Sequence, residues 1–349
     1  MTGTTGIIRD ARFLEHITGH LHPEHPNRLK AIHRMLDEGV GEGLLELEAE
    51  MATMEQLELV HSPAHVEKVL KTSEHAFTSL APDTPASAKT YLAAWLAVGG
   101  CIRGLEAMLA GECDTCFSLV RPPGHHALPN AVSGFCIFNN LGITARFAAK
   151  HHGFERVLII DWDIHHGHGL NDLFYEEKGV FYFSTHDTLL YPHTGDWTDT
   201  GTGEGRGYTV NIPLSRDMED VDLVSLYQDV LGAVFRSYKP QLVLIAAGFD
   251  GHAADPIGRS RFTERMYGDL TRLALALRRE NGNPPLLLAL EGGYDPPALA
   301  SSVREVLLAL KQDGQAGVPE YKETPRAEAM AARARAVHAE HGVWRKRTL

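Results

Sequence analysis

The chain has 349 residues, an apolar share of 44% and a formal net charge of −12. That length and composition suit one large α/β unit whose core can carry a wide sheet covered on both faces. The acidic balance speaks first to solubility, argues against a general binder of phosphate backbones, and predicts no nucleic-acid partner. No basic stretch followed by an apolar core opens the sequence, and no apolar run reaches the ~18 residues of a membrane span. The expectation is a cytoplasmic protein with no membrane partner.

In chain order, the pattern predicts an Ala- and Leu-rich helix over Ala88–Leu109 and a strand over Thr115–Val120. A helix over Asn140–His151 and strands over Val157–Asp161 and Val180–Ser184 follow. Asp187–Gly207 is a Thr-, Gly-, His- and Asp-rich loop, and long loops in compact domains usually carry function. Its glycines do not have the G-x-G-x-x-G spacing and precede a strand, so a dinucleotide site is not expected. Strand Tyr208–Ile212, helix Val221–Tyr238, strand Leu242–Ala247, helix Thr263–Glu280 and strand Leu286–Leu290 complete the alternation. Strands rich in Val, Ile, Leu and Phe on both faces, alternating with amphipathic helices, imply βαβ units and a parallel sheet. No repeat or linker divides the chain, so residues 1–349 read as one domain. A helical C-terminal extension is predicted over 320–349, with Ala327–His341 presenting its basic residues to solvent.

Four cysteines are present: Cys101, Cys113, Cys116 and Cys136. The Cys113–Cys116 spacing is C-x-x-C, but the pair sits at the start of a strand and not at the opening of a helix. Reduced structural thiols are expected.

Three segments carry the chemistry. Asp161-Trp162-Asp163-Ile164-His165-His166, Gly248-Phe249-Asp250 and Glu291-Gly292-Gly293-Tyr294 each follow an apolar, strand-like run. Ligands of parallel α/β sheets bind outside the carboxyl ends of strands. Residues two apart in an extended chain project to the same side, so Asp163 and His165 are presented together. Asp250 from another strand end gives three ligands, the number a catalytic zinc site uses while leaving room for water. The set is oxygen-rich, and Fe2+ or Co2+ also suits it.

Arg121-Pro122-Pro123-Gly124-His125-His126 follows a further strand. Tandem histidines point different ways and cannot both be buried cheaply, and one beside a metal-bound water can act as general base. Tyr294 follows two glycines that allow close backbone approach, and its phenol can donate to a developing oxyanion.

RPPGHHA, SGFCIFNN, DWDIHHGHG, AGFDGHAADPIG and LEGGYD together resemble the zinc-dependent histone deacetylase family. The details are similar to its class II branch and to bacterial histone deacetylase-like amidohydrolases and acetylpolyamine amidohydrolases. His22-Pro23-Glu24-His25-Pro26-Asn27-Arg28 extends the match toward the N-terminus. The resemblance implies an arginase–deacetylase α/β fold with a single eight-stranded, mostly parallel sheet and helices on both faces. It implies metal ligands Asp163, His165 and Asp250, general base His126, electrostatic partner His125, and Asp161 orienting His125. Tyr294 would stabilise the tetrahedral intermediate. Phe135, beside Gly134, and Tyr191 would wall the acyl-lysine tunnel, and Asp83 would hold the substrate backbone at the rim. A potassium ion would fall to Asp161, Asp163, His165, Ser184 and Thr185, and a second monovalent site to Phe174, Val180 and Tyr208. The implied substrates are acetylated lysine or acetylated polyamines and other small amines. A homo-oligomer is compatible with the resemblance.

The sequence departs from that pattern in two places. His168 stands where relatives have Asp or Asn, the residue that orients one of the tandem histidines. Ile257 replaces the glutamate that marks one polyamine-specific branch, while Glu74 and Asp83 could still attract a polyamine. Two other functions compete. A binuclear manganese ureohydrolase needs further carboxylates where this chain has Gly167 and His252. A non-catalytic acyl-lysine binder would not need His125, His126 and Tyr294 together.

Overall fold

The apolar runs become parallel strands buried along their whole length. In a strand, successive side chains point to opposite faces, so continuous burial means that both faces are covered. The structure, a computed structural model, describes residues 3–313 and 322–342. The strands are β1 (Thr5–Ile8), β2 (Leu45–Leu47), a hairpin of β3 (Phe77–Ala81) and β4 (Thr84–Ser87), β5 (Thr115–Ser118), β6 (Val157–Asp161), β7 (Val180–His186), β8 (Thr209–Pro213), β9 (Leu242–Ala247) and β10 (Leu286–Leu290). Eight of them form one sheet in the order β2-β1-β5-β10-β9-β6-β7-β8. Every pairing in it is parallel, so the expected "mostly parallel" sheet is parallel throughout.

Two of these strands escape the sequence pattern. β1 is four residues and β2 three, and β2 at the edge is only partly buried. The Asp83 segment is a separate antiparallel hairpin, with Asp83 in its turn.

The strand order places β5, β10, β9 and β6 side by side at the centre. Their carboxyl ends carry Arg121, Glu291, Asp250 and Asp161 in turn. Helix Thr90–Leu109 has the length and apolarity of a membrane span, yet it is mostly buried and packs against β5 and β1. All four cysteines are buried and free.

A helix spans Pro325–His338 within the C-terminal stretch 320–349, of which residues 320–321 and 343–349 lie outside the described residues. Its basic side chains do not merely face solvent. Arg335 pairs with Asp229, Arg326 with Asp217, and Arg333 lies over the Trp197 ring at 4.6 Å. Trp197 belongs to the long loop 187–207, so this helix braces that loop from outside.

Candidate active site

Asp163, His165 and Asp250 converge. Their ligand atoms lie within 4.8 Å of one another, and all three residues are buried. His165 Nδ1 is 3.1 Å from Asp163 Oδ1 and 3.0 Å from Asp250 Oδ2. The remaining carboxylate lone pairs are used to fix the two aspartates. Asp163 accepts from the backbone N–H of His165 at 2.8 Å and of Gly292 at 3.0 Å, and Asp250 from that of Ile164 at 3.1 Å. Gly292 has to be glycine, because a Cβ there would stand 2.0 Å from Asp250 Oδ2.

Among the described residues, no lysine or arginine is paired with either aspartate. Burial, and then the neighbouring Asp163 charge, push Asp250 up to about 7. His165 is raised well above the usual imidazole range because the two carboxylates outweigh burial. Two buried carboxylates and one imidazole nitrogen on a shared centre fit a divalent ion with room for a further ligand.

The tandem histidines sit against this centre, with ring centroids 3.9 Å apart. They have opposite surroundings. His125 Nδ1 is 3.1 Å from Asp161 Oδ2, and His125 Nε2 is 3.9 Å from Asp163. Burial works against its charge, but Asp161 and Asp163 prevail and push it up to about 10. Among the described residues, no carboxylate is paired with His126. Burial, then the charges of His125 and His168, hold it well below 6.5, in its neutral form. Its Nδ1 lies 3.2 Å from His168 Nδ1, which leaves Nε2 for other work. Neighbouring groups of the same type with opposite shifts are a mark of acid–base sites.

Tyr294 is partly buried; Phe135 meets its ring edge-on at 5.7 Å, and Arg28 lies over it at 4.9 Å. Its hydroxyl stays protonated, since burial raises it well above 10 and the Asp250 and Asp163 charges add to that. Tyr191 packs edge-on against His126 at 5.2 Å, so Phe135 and Tyr191 flank the histidines and the phenol. Gly134 (φ +51) and Phe135 (φ +69) are both left-handed, and a Cβ on Gly134 would stand 2.4 Å from His126 Cδ2. Glycine there lets the loop close over the imidazole. Asp83 is partly buried in its turn; its carbonyl meets His22 Nε2 at 3.1 Å, and His22 in turn meets Phe135 edge-on with ring centroids 4.8 Å apart.

The groups named for monovalent ions are partly engaged within the protein. Ser184 Oγ is 2.8 Å from His186 Nδ1, and Thr185 Oγ1 is 2.8 Å from the Tyr227 hydroxyl. Ser184 is the register partner of Asp161. The carbonyls of Phe174 and Tyr208 accept from Glu177 at 3.1 Å and Tyr182 at 2.9 Å, and Val180 opens β7.

Several residues at the site carried no role in the sequence reading. Glu291 accepts from the backbone N–H groups of Gly124 at 2.6 Å and His125 at 3.1 Å, which ties the tandem-histidine loop to β10. Tyr182 donates to Asp161 Oδ2 at 2.9 Å. Asp255 Oδ2 accepts from Tyr294 N at 2.6 Å. Behind Tyr294, Arg28 donates to the carbonyls of Gly293 and Glu291. Glu24 bridges Arg28 at 3.0 Å and Arg121 at 2.5 Å, with His16 at 3.3 Å. Burial opposes the Glu24 charge, but Arg121 and His16 keep it well below the usual carboxylate range. Glu24 and Arg28 lie in the quoted N-terminal motif, and their partner Arg121 opens RPPGHHA; the motifs were the available signal.

Comparison with known proteins places this geometry. A histone deacetylase domain model matches residues 22–310. A probable deacetylase of Archaeoglobus fulgidus is 38% identical over 83% of this chain and 81% of its own length. The polyamine deacetylase HDAC10 of Homo sapiens is 36% identical over 80% of this chain and 43% of its own length. The crystal structure of the HDA15 HD domain superposes with a TM-score of 0.89 at 31% identity, covering 97% of this chain and 95% of that one. Family match, relatives and fold agree: the chain belongs to the histone deacetylase family and is a deacetylase, a hydrolase of amide bonds.

Proposed function

We propose that this deacetylase removes acetyl groups from N-ε-acetyl-lysine by metal-assisted hydrolysis. The observation that carries the reading is the buried Asp163–His165–Asp250 centre with a neutral His126 and a protonated Tyr294 beside it. Zinc, with iron(II) or cobalt as alternatives, would be held by those three residues and would polarise the amide carbonyl and acidify a water. His126 accepts the water's proton at Nε2. Tyr294 donates its hydroxyl hydrogen to the oxygen on which negative charge develops. His125, held charged by Asp161, keeps positive charge next to that oxygen. A histidine then protonates the departing amine, and acetate and a free amine leave. Phe135 and Tyr191 wall the acyl-lysine tunnel, and Asp83 at the rim holds the substrate backbone. A potassium ion at Asp161, Asp163, His165, Ser184 and Thr185 belongs to the same reading.

Acetylpolyamine hydrolysis is the second reading. It is favoured by the acids Glu74 and Asp83 of the segment 72–86 and by the likeness to a polyamine deacetylase, and disfavoured by Ile257. A ureohydrolase is disfavoured on space as well as composition. A Cβ at Gly167 would stand 2.1 Å from Asp161 Oδ2, so a second-metal carboxylate has no room there. His252 faces Glu264 at 3.3 Å.

Kinetics on acetyl-lysine peptides against acetylputrescine and acetylspermidine, then on longer acyl chains, test the substrate. The expected result is the highest kcat/KM on an acetyl-lysine peptide. Preference for either polyamine would replace that substrate, and no turnover of any acylated amine would end the reading.

A further inference from the structure

His168 and Tyr191 meet through one serine. From His126 Nδ1, His168 Nδ1 is 3.2 Å away; His168 Nε2 lies 3.4 Å from Ser133 Oγ; Ser133 Oγ in turn bonds the Tyr191 hydroxyl. The chain begins at a buried ring and ends at a residue 40% exposed at the tunnel wall. Every member between the ends can both donate and accept.

That property fixes what the chain can do. A neutral imidazole has one N–H and one bare nitrogen. Two Nδ1 atoms in contact therefore need one ring to donate and the other to accept. If His126 donates from Nδ1, His168 carries its proton on Nε2 and donates to Ser133. Ser133 then donates to Tyr191, and Tyr191 to water. His126 Nε2 is bare in this outward arrangement, so it is a base. With every bond reversed, Tyr191 donates to Ser133, Ser133 to His168 and His168 to His126. His126 Nε2 then carries the proton, so it is an acid. Both arrangements satisfy every group, and no member is charged in either. A carboxylate at position 168 could only accept.

We propose that His126, His168, Ser133 and Tyr191 form a reversible proton relay that switches His126 between base and acid without leaving it charged. The inference rests on the deacetylase reading above. In the outward arrangement, His126 Nε2 takes a proton from water. Its Nδ1 proton passes to His168 Nδ1, the His168 Nε2 proton to Ser133, the Ser133 proton to Tyr191, and the Tyr191 proton to solvent. The relay now points inward. His126 gives its Nε2 proton to the leaving amine, and solvent returns one proton through Tyr191 as each bond reverses. One proton leaves and one returns per turnover, so the hydrolysis balances with nothing else consumed. His168, Ser133 and the Tyr191 hydroxyl are positioning residues that act through His126; the Tyr191 ring is a separate contribution to the tunnel wall.

Tyr191→Phe separates the two, because it keeps the ring and removes the hydroxyl. On an acetyl-lysine peptide we expect kcat to fall about tenfold, with KM changed by less than about twofold. We expect the parent to give a bowed proton inventory in mixed light and heavy water, and Tyr191→Phe a straight one. Ser133→Ala should match Tyr191→Phe, and the double variant should be no worse than Ser133→Ala alone. Side-chain 15N NMR gives a readout without turnover. His168 should show nitrogen shifts averaged between tautomers in the parent and those of one tautomer in Tyr191→Phe. A parent that turns over, with Tyr191→Phe matching it in kcat and inventory or differing only in KM, would overturn the relay while leaving the deacetylase reading intact. A single fixed His168 tautomer in both proteins would also overturn it. A parent inactive on every acylated amine overturns both.

Discussion

The Arg28 guanidinium carbon lies 4.9 Å above the Tyr294 ring, and Arg28 Nε donates to the carbonyl of Gly293 at 2.5 Å. One buried cation thus fixes both the phenol and the backbone that carries it. Its charge is balanced by Glu24, which also holds Arg121 at the start of the tandem-histidine loop. Arg28→Lys keeps the charge but loses the planar fork that reaches two carbonyls and stacks on the ring. We expect kcat to fall at least about tenfold, because Tyr294 loses its fixed position. Glu24→Gln leaves two buried arginines uncompensated and should cost about 3–5 kcal/mol of stability. Steady-state kinetics of the first variant and denaturant melts of the second check these outcomes.

Metal removal should destabilise the protein as well as inactivate it. Without a cation, Asp163 and Asp250 face each other in a buried site with His165 between them. A ligand present at a thousand times its Kd stabilises by about 4 kcal/mol, so exhaustive chelation should lower the melting temperature measurably. One equivalent of zinc should restore it. Gly292→Ala, whose Cβ would stand 2.0 Å from Asp250 Oδ2, should retain less metal on dialysis than the parent.

Acid should weaken the fold through buried neutral histidines. His61 accepts from Asn139 N at 2.9 Å and meets the Leu128 carbonyl at 3.1 Å, and burial, with the His65 charge, lowers it from 6.5 to about 3. Below pH 6.5 the unfolded chain takes up a proton that folded His61 refuses. Stability from this residue is therefore full above 6.5 and is lost as pH falls toward 3, by about 1.4 kcal/mol per pH unit. Thermal melts between pH 7 and 5 should show the decline. His61→Gln, which cannot titrate, should show a shallower slope even if it is less stable throughout.

The sequence is legible where burial is two-sided. VLII, LVLIAA and LLLAL announce β6, β9 and β10, and the charged residues after them mark the strand ends where the site forms. β1 and β2 are too short to show periodicity, and β2 is half exposed, so no apolar run marks it. The hairpin around Asp83 carries Pro and small residues that read as loop. The Arg28 clamp is hidden for another reason: its backbone acceptors are 263 and 265 residues away, and a carbonyl acceptor has no residue-type signature. The Ser133 link between His168 and Tyr191 needs two loops and the first turn of helix His168–Phe174 to close on one another, which spacing alone does not reveal.

The most direct measurement is metal content and acetyl-lysine peptide turnover on one purified sample, parent beside Tyr294→Phe. The expected result is one divalent ion per chain in both proteins, with kcat lowered at least about a hundredfold in the variant, the loss typical of a missing oxyanion donor. A parent without bound metal, or a variant that hydrolyses as fast as the parent, would contradict it.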